Sequence, residues 1–259
     1  MIKESVKFQS APVFEGMTSL RALLRGRDSG VSERPIHTVL YDREKLHKIA
    51  KDVGYLKAVS AQYGYTVEEC DADKIASLTV GTSHGGLIAL TGERTLPILD
   101  ATVSLPADGF FAYVDGIEDP YNFGYAIRSL YACGVDGILL GTRNWMSAAG
   151  VVCRSSAGAS ELLPLYTAPD VPGALDTFHA AGYRIVCAEE KSEDTLGKCG
   201  LKLPLLLVVG GEKRGIGKAV LERADILVRI PYRRSFGASL SAASAATMFA
   251  YEIARQNEK

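Results

Sequence analysis

From about residue 110 onward, short unbroken apolar blocks alternate with longer stretches in which apolar residues return every three or four positions. The blocks at 110–114, 136–141, 162–166, 183–188, 205–210 and 225–230 have the length and uniformity of strands buried on both faces. The stretches at 122–133, 147–157, 171–181, 216–223 and 238–256 have the spacing of helices. Such alternation predicts an α/β fold, a mostly parallel sheet with helices on both faces. Helical spacing is clearest after Asp119-Pro120, where Phe123, Ala126, Ile127, Leu130 and Tyr131 share one face and Arg128 lies off it. Asn122 stands where an N-cap belongs. A polar segment containing glycine, 191–201, reads as a surface loop.

The first hundred residues predict a smaller α/β module. Leu20, Leu23 and Leu24 fall on one helical face, with Thr18 or Ser19 as the cap. Strands are expected at 36–41, 66–70 and 87–90, a basic helical segment at 43–57 behind Asp42, and a short helix at 73–78. Pro97 and Pro106 mark a connector, so the boundary is placed near residue 105, giving domains 1–105 and 106–259. Arg21, Arg25 and Arg27, with the lysines of the next helix, form either a phosphate-binding face or an ordinary solvated one, because Glu44, Asp52, Glu68 and Glu69 interrupt the charge.

At 259 residues and 47% apolar content, the chain can fill two cores. No uncharged apolar run approaches the ~18 residues of a membrane span, and the first residues lack a secretion signal, so a cytoplasmic location and no membrane are expected. The five cysteines are scattered without metal-ligand spacing, which points to reduced core thiols and to no metal site. Lysine plus arginine (29) nearly balance aspartate plus glutamate (30), so any nucleic-acid surface must be local.

Candidate chemistry begins where the apolar block at 205–209 breaks into Gly210-Gly-Glu-Lys-Arg-Gly-Ile-Gly217, with Glu212 at the carboxyl end of a strand. Ligands of open α/β sheets sit there. A glycine turn alone serves chain geometry as readily as a ligand, and the dinucleotide fingerprint of an oxidoreductase is missing from the first strand. Two further stretches change the picture: Asp115-Gly-Ile-Glu-Asp-Pro-Tyr-Asn-Phe-Gly-Tyr-Ala-Ile-Arg128 and Ile230-Pro-Tyr-Arg-Arg-Ser-Phe-Gly-Ala-Ser239. In this order and at these separations, the three stretches resemble the motifs of the SpoU (TrmH-like) RNA ribose methyltransferases of the SPOUT superfamily, over roughly residues 108 to 256. More loosely, His84-Gly-Gly-Leu-Ile-Ala89 resembles the end of the small RNA-binding domain that precedes the catalytic domain in many of these enzymes. His84 itself reads as a loop histidine.

The resemblance implies S-adenosylmethionine as cofactor, methyl transfer to a ribose 2′-hydroxyl of rRNA or tRNA, a trefoil knot in the carboxyl-terminal domain, and a homodimer that completes the site. The nucleophile then belongs to the RNA, which accounts for the lack of a Ser-His-Asp or Cys-His set. By the same resemblance Asn122, Arg128, Glu212 and Ser235 serve the chemistry, while Ala188, Gly210, Gly211, Ile230 and Phe236 hold the cofactor. Each polar residue has a plain alternative: a helix cap for Asn122, a solvated side chain for Arg128, a turn carboxylate paired with Lys213 or Arg214 for Glu212, and a cap of the next helix for Ser235. One departure stands out: the third motif usually reads Ser-Leu-Asn-x-Ser, and here Gly237 replaces the asparagine. The alternative function is therefore a catalytically weak homologue that binds RNA and cofactor.

Overall fold

The computed structural model describes residues 12–258 apart from 80, 82, 118, 142–144, 146, 147 and 236, and the chain divides into two compact units between Thr95 and Leu96. The division falls ten residues before the expected boundary because the chain from Leu96 packs on the second unit. Ile98 pairs in parallel with Thr167, and Leu99 is buried in that unit's core.

In the first unit, β1 (Val13–Glu15), β4 (Leu87–Thr91), β2 (Ile36–Asp42) and β3 (Thr66–Cys70) form a sheet in the order β1-β4-β2-β3. Only the β2–β3 pair is parallel. Helix α1 (Gly16–Asp28) starts earlier than Thr18 or Ser19 suggested, with Glu15 as its N-cap residue, and it buries Ser19 beside Leu20, Leu23 and Leu24. Helix α2 (Leu46–Tyr63) follows a 3-10 turn capped by Asp42, and α3 (Ala72–Leu78) is capped by Asp71. The His84 ring accepts the Gly86 N–H at 3.0 Å, so this histidine serves its own loop.

The second unit is a seven-stranded, wholly parallel sheet in the order β7-β6-β5-β10-β8-β11-β9. Its strands are β5 (Phe110–Asp115), β6 (Gly137–Leu140), β7 (Leu165–Thr167), β8 (Arg184–Ala188), β9 (Asp194–Thr195), β10 (Leu205–Gly210) and β11 (Ile226–Arg229). The two-residue β9 lies within the segment expected to be a loop. Helices α4 (Pro120–Ala132), α5 (Ala149–Ser155), α6 (Ala159–Leu162) and α9 (Ala242–Gln256) pack on one face, and α7 (Val171–Ala180) and α8 (Lys218–Leu221) on the other. The helix expected over 147–157 ends at Ser155, where Ala157 (φ 53°) and Gly158 (φ 93°) break the chain, and the short α6 then runs to Leu162, so the strand expected from 162 begins only at Leu165. Tyr131, placed on the buried stripe by its spacing, is exposed at the end of α4. Every cysteine is free, and burial pushes the Cys187 thiol up to about 12. Among the described residues no helix is long and apolar enough to cross a membrane.

The carboxyl end of α9 is fastened to the segment before β10. Gln256 bonds to the Leu201 N–H (2.8 Å) and the Cys199 carbonyl (3.0 Å), and Asn257 bonds to the Leu201 carbonyl (2.8 Å). Glu252 organises this end, accepting from Arg255 and Gln256, each at 2.8 Å. These bonds hold the Glu252 carboxyl down at about 2 from its ordinary 4.5. A depressed carboxylate contributes stability above its unfolded pKa and loses it as pH falls through the folded one. At about 1.4 kcal/mol per pKa unit the contribution is at most about 3.5 kcal/mol, and solvent screening at the half-exposed Arg255 lowers it. Glu252→Gln should therefore lower the melting temperature at pH 7, and thermal melts should show the gap to wild type closing between about pH 4.5 and 2. A gap independent of pH would contradict this.

Candidate active site

The chain leaves β5 toward β6 and β7 on one side, returns to lay β8 and β10 on the other, and continues outward to β11. The direction reverses beside β5 and β10, and a sheet of this type opens a crevice at the carboxyl ends of such strands. Ala188 is in register with both Val209 and Val228, so β8, β10 and β11 end in one row. Immediately beyond that row lies a cavity of about 200 Å3, bounded on its far side by Ala242, Ala245 and Phe249 of α9. Val209, Val228, Ile230 and Leu240 give its lining an apolar part, and Glu189, Glu190 and Glu212 bring carboxylates to an equally polar one.

The turn after β10 is built around its glycines. A Cβ on Gly210 would lie 2.4 Å from the Gly215 carbonyl carbon, and one on Gly211 would lie 2.2 Å from the Gly116 oxygen. Neither approach leaves room for a side chain. The turn thus folds back on the end of β10 and presses against the segment that follows β5. Beneath it, Asp115 accepts the Tyr113 hydroxyl at 2.9 Å and the Gly217 N–H at 3.4 Å.

The sequence model of the SpoU rRNA Methylase family matches residues 109–251, which span this sheet, turn and cleft. The chain belongs to the SpoU family. An uncharacterized tRNA/rRNA methyltransferase of Mycobacterium sp. (strain KMS) is 34% identical over 206 residues, covering 76% of this chain and 64% of its own. The 23S rRNA (guanosine-2′-O-)-methyltransferase RlmB of Shewanella oneidensis is 28% identical over 200 residues, 75% of this chain and 80% of its own. The fold is that of an AdoMet-bound rRNA methyltransferase structure from Sinorhizobium meliloti, with TM-score 0.79 at 22% identity over 96% of this chain and 89% of that one.

Set against the three SpoU motifs, the expected residues divide. Ala188, Gly210, Gly211, Ile230 and Glu212 line the cleft; Phe236 lies outside the described residues. Ser235 is exposed in the loop after Ile230, away from the lining, and it is not the cap of α9: the Ser241 hydroxyl accepts the Ser244 N–H at 3.2 Å. Asn122 is not the cap of α4 either. Asp119 accepts the N–H groups of Tyr121 (2.7 Å) and of Asn122 (2.9 Å), the arrangement that a proline at the first helical position favours. Arg128 is exposed on α4, off the stripe of Phe123, Ala126, Ile127 and Leu130, as its spacing predicts.

Glu212 joins two of the motif stretches. Its Oε1 accepts the Ala242 N–H at 3.0 Å and so ties the glycine turn to the start of α9. A carboxylate at a helix amino end is favoured by the helix dipole. Tyr232, Leu240 and Glu189 also line the cleft, and sequence reasoning missed them. The position of Glu189, immediately after β8 and its cleft residue Ala188, was the available signal.

Proposed function

We propose that this protein transfers the methyl group of S-adenosylmethionine to a ribose 2′-hydroxyl of structured rRNA or tRNA. The observation that carries the reading is the convergence of Ala188, the turn at Gly210 and Gly211, and Ile230 on one cleft at the switch of strand order. Its chemistry suits the cofactor: apolar side chains for a flat base, and three carboxylates of opposite charge to an ammonium and a sulfonium. The bound cofactor supplies an electrophilic methyl group; the protein aligns the hydroxyl and eases loss of its proton. Family membership and the 2′-O activity in the name of the Shewanella relative support the same reaction.

RNA is the acceptor that fits the local charge. Despite a net charge of −1, the two loops that supply cleft residues carry Lys213, Arg214, Arg233 and Arg234, and Arg229 ends β11 beside them. Cations in this arrangement contact phosphates and position RNA without reading its sequence. In the first unit, Arg25, Lys48 and Lys51 are exposed and extend that role to a separate RNA-binding domain, while Arg21 pairs with Asp52 (3.3 Å) and Arg27 donates to the Tyr63 carbonyl (2.9 Å).

Asn122 and Arg128 lie on α4 and outside the cleft lining, so we assign them to a site completed by a second copy. Helices α4 and α9 pack together and leave Tyr121, Tyr125, Met248 and Tyr251 exposed, an apolar and aromatic set suited to a homodimer face. Purified protein is expected to sediment as a dimer and to bind S-adenosylmethionine in calorimetry. A monomer, or no heat at millimolar cofactor, would count against the assignment.

A second reading, binding of RNA and cofactor without transfer, draws on Gly237. A Cβ there would meet nothing within 4 Å, so packing does not demand glycine and the family's amide is missing for no steric reason. Tight binding of both ligands with no methyl transfer would favour it.

A further inference from the structure

The segment between Ile230 and α9 lies beside the cleft. Residues 231–235 and 237–239 are exposed and in neither helix nor strand, yet Tyr232, Ser239 and Leu240 line the cavity. Gly237, in the middle, adds backbone freedom that a closed loop must lose. Across this span the Tyr232 hydroxyl accepts the Leu240 N–H at 3.0 Å, eight residues on. At the far end, Glu212 and Ser241 fix the first turn of α9.

We infer that Tyr232 is a positioning residue whose hydroxyl ties the chain at 232 to the chain at 240, so that Tyr232, Ser239 and Leu240 line the cleft in one arrangement. The ring itself contributes to the lining, and the hydroxyl joins the two ends of the loop. Removing that hydroxyl leaves the Leu240 N–H to water and shifts the loop toward open forms by about fivefold, the effect of one hydrogen bond of ordinary net strength. The cofactor part of this inference rests on the function proposed above; the loop part does not.

Arg233 and Arg234 make the loop its own reporter, because trypsin cuts after either once the chain is open. Where reclosing outpaces cleavage, the cutting rate tracks the open population. Tyr232→Phe, compared with wild type and with Tyr55→Phe as a control at an exposed tyrosine of α2, should be cut after Arg233 or Arg234 about fivefold faster, with cutting at other sites unchanged. The half-saturating cofactor concentration in methyl transfer should rise by up to the same factor, with the maximal rate changed less. Equal cutting of Tyr232→Phe and wild type would overturn the inference. So would uniformly faster cutting at all sites with a lower melting temperature, since that is the behaviour of a merely structural residue. If the loop opens as expected but wild-type protein binds no S-adenosylmethionine, the role of Tyr232 in the loop stands and the cofactor assignment falls.

Discussion

Arg128→Ala is expected to lower methyl transfer to RNA by on the order of 10²-fold or more, as loss of an acid–base or electrostatic group does. Cofactor affinity should be nearly unchanged, because Arg128 is not among the residues that line the cleft. The melting temperature should also hold, since the side chain is exposed and the packing of α4 rests on Phe123, Ala126, Ile127 and Leu130. Arginine stays protonated near neutrality, so its part is to clamp the phosphate and the developing charge beside the ribose, with the proton leaving through a neighbouring group. Arg128→Lys keeps the charge and loses the planar fork, and should fall between the two. Transfer from labelled cofactor, calorimetry and thermal melts on the same preparations make the comparison. Full activity in the alanine variant, or loss of the fold, would remove Arg128 from the proposed site.

Gly211→Ala should act on the fold and the cleft together. The new methyl would press on the Gly116 carbonyl, a backbone atom that cannot swing aside, and would push the glycine turn away from the segment after β5. Overpacking of this kind costs about 1–3 kcal/mol, or a fall of roughly 2–12 °C for a protein of this size. Cofactor binding should weaken more than tenfold, because Gly210, Gly211 and Glu212 move with the turn and Glu212 holds the start of α9. Gly217→Ala is the internal control. Its Cβ would meet only Asp115 Oδ2 at 3.8 Å, so stability and affinity should stay close to wild type. Equal behaviour of the two variants would show that the turn does not need the close approach at Gly211.

These contrasts also separate what was legible in the sequence from what was not. The apolar blocks gave every strand of the large sheet except β9, because a strand buried on both faces leaves a run such as Leu205–Gly210 that nothing else explains. Strand order was not legible: that β10 inserts between β5 and β8 depends on contacts between distant segments. Helix starts were misplaced where local chemistry was shared among neighbours. Asn122 looked like a cap, but Asp119-Pro120 already supplied one, and Ser241 rather than Ser235 begins α9. The third motif identified Ile230, while Tyr232 acts through a bond to a residue eight positions away, which no local pattern announces. Glu212 was visible as the carboxylate of the turn, but its partner, the amide of Ala242, lies 30 residues on.

The most direct test of the proposed activity is the chemical position of the methyl group. Purified protein would be incubated with methyl-labelled S-adenosylmethionine and with rRNA or tRNA from cells lacking it, and the RNA then hydrolysed in alkali. Alkaline cleavage needs a free 2′-hydroxyl, so a 2′-O-methyl group leaves its nucleotide in an uncut dinucleotide. The account predicts label in alkali-resistant dinucleotides at one or a few sites, lost with Arg128→Ala. Label recovered in mononucleotides would mean a base is methylated, and no label in RNA from a protein that binds the cofactor would mean that it does not catalyse transfer.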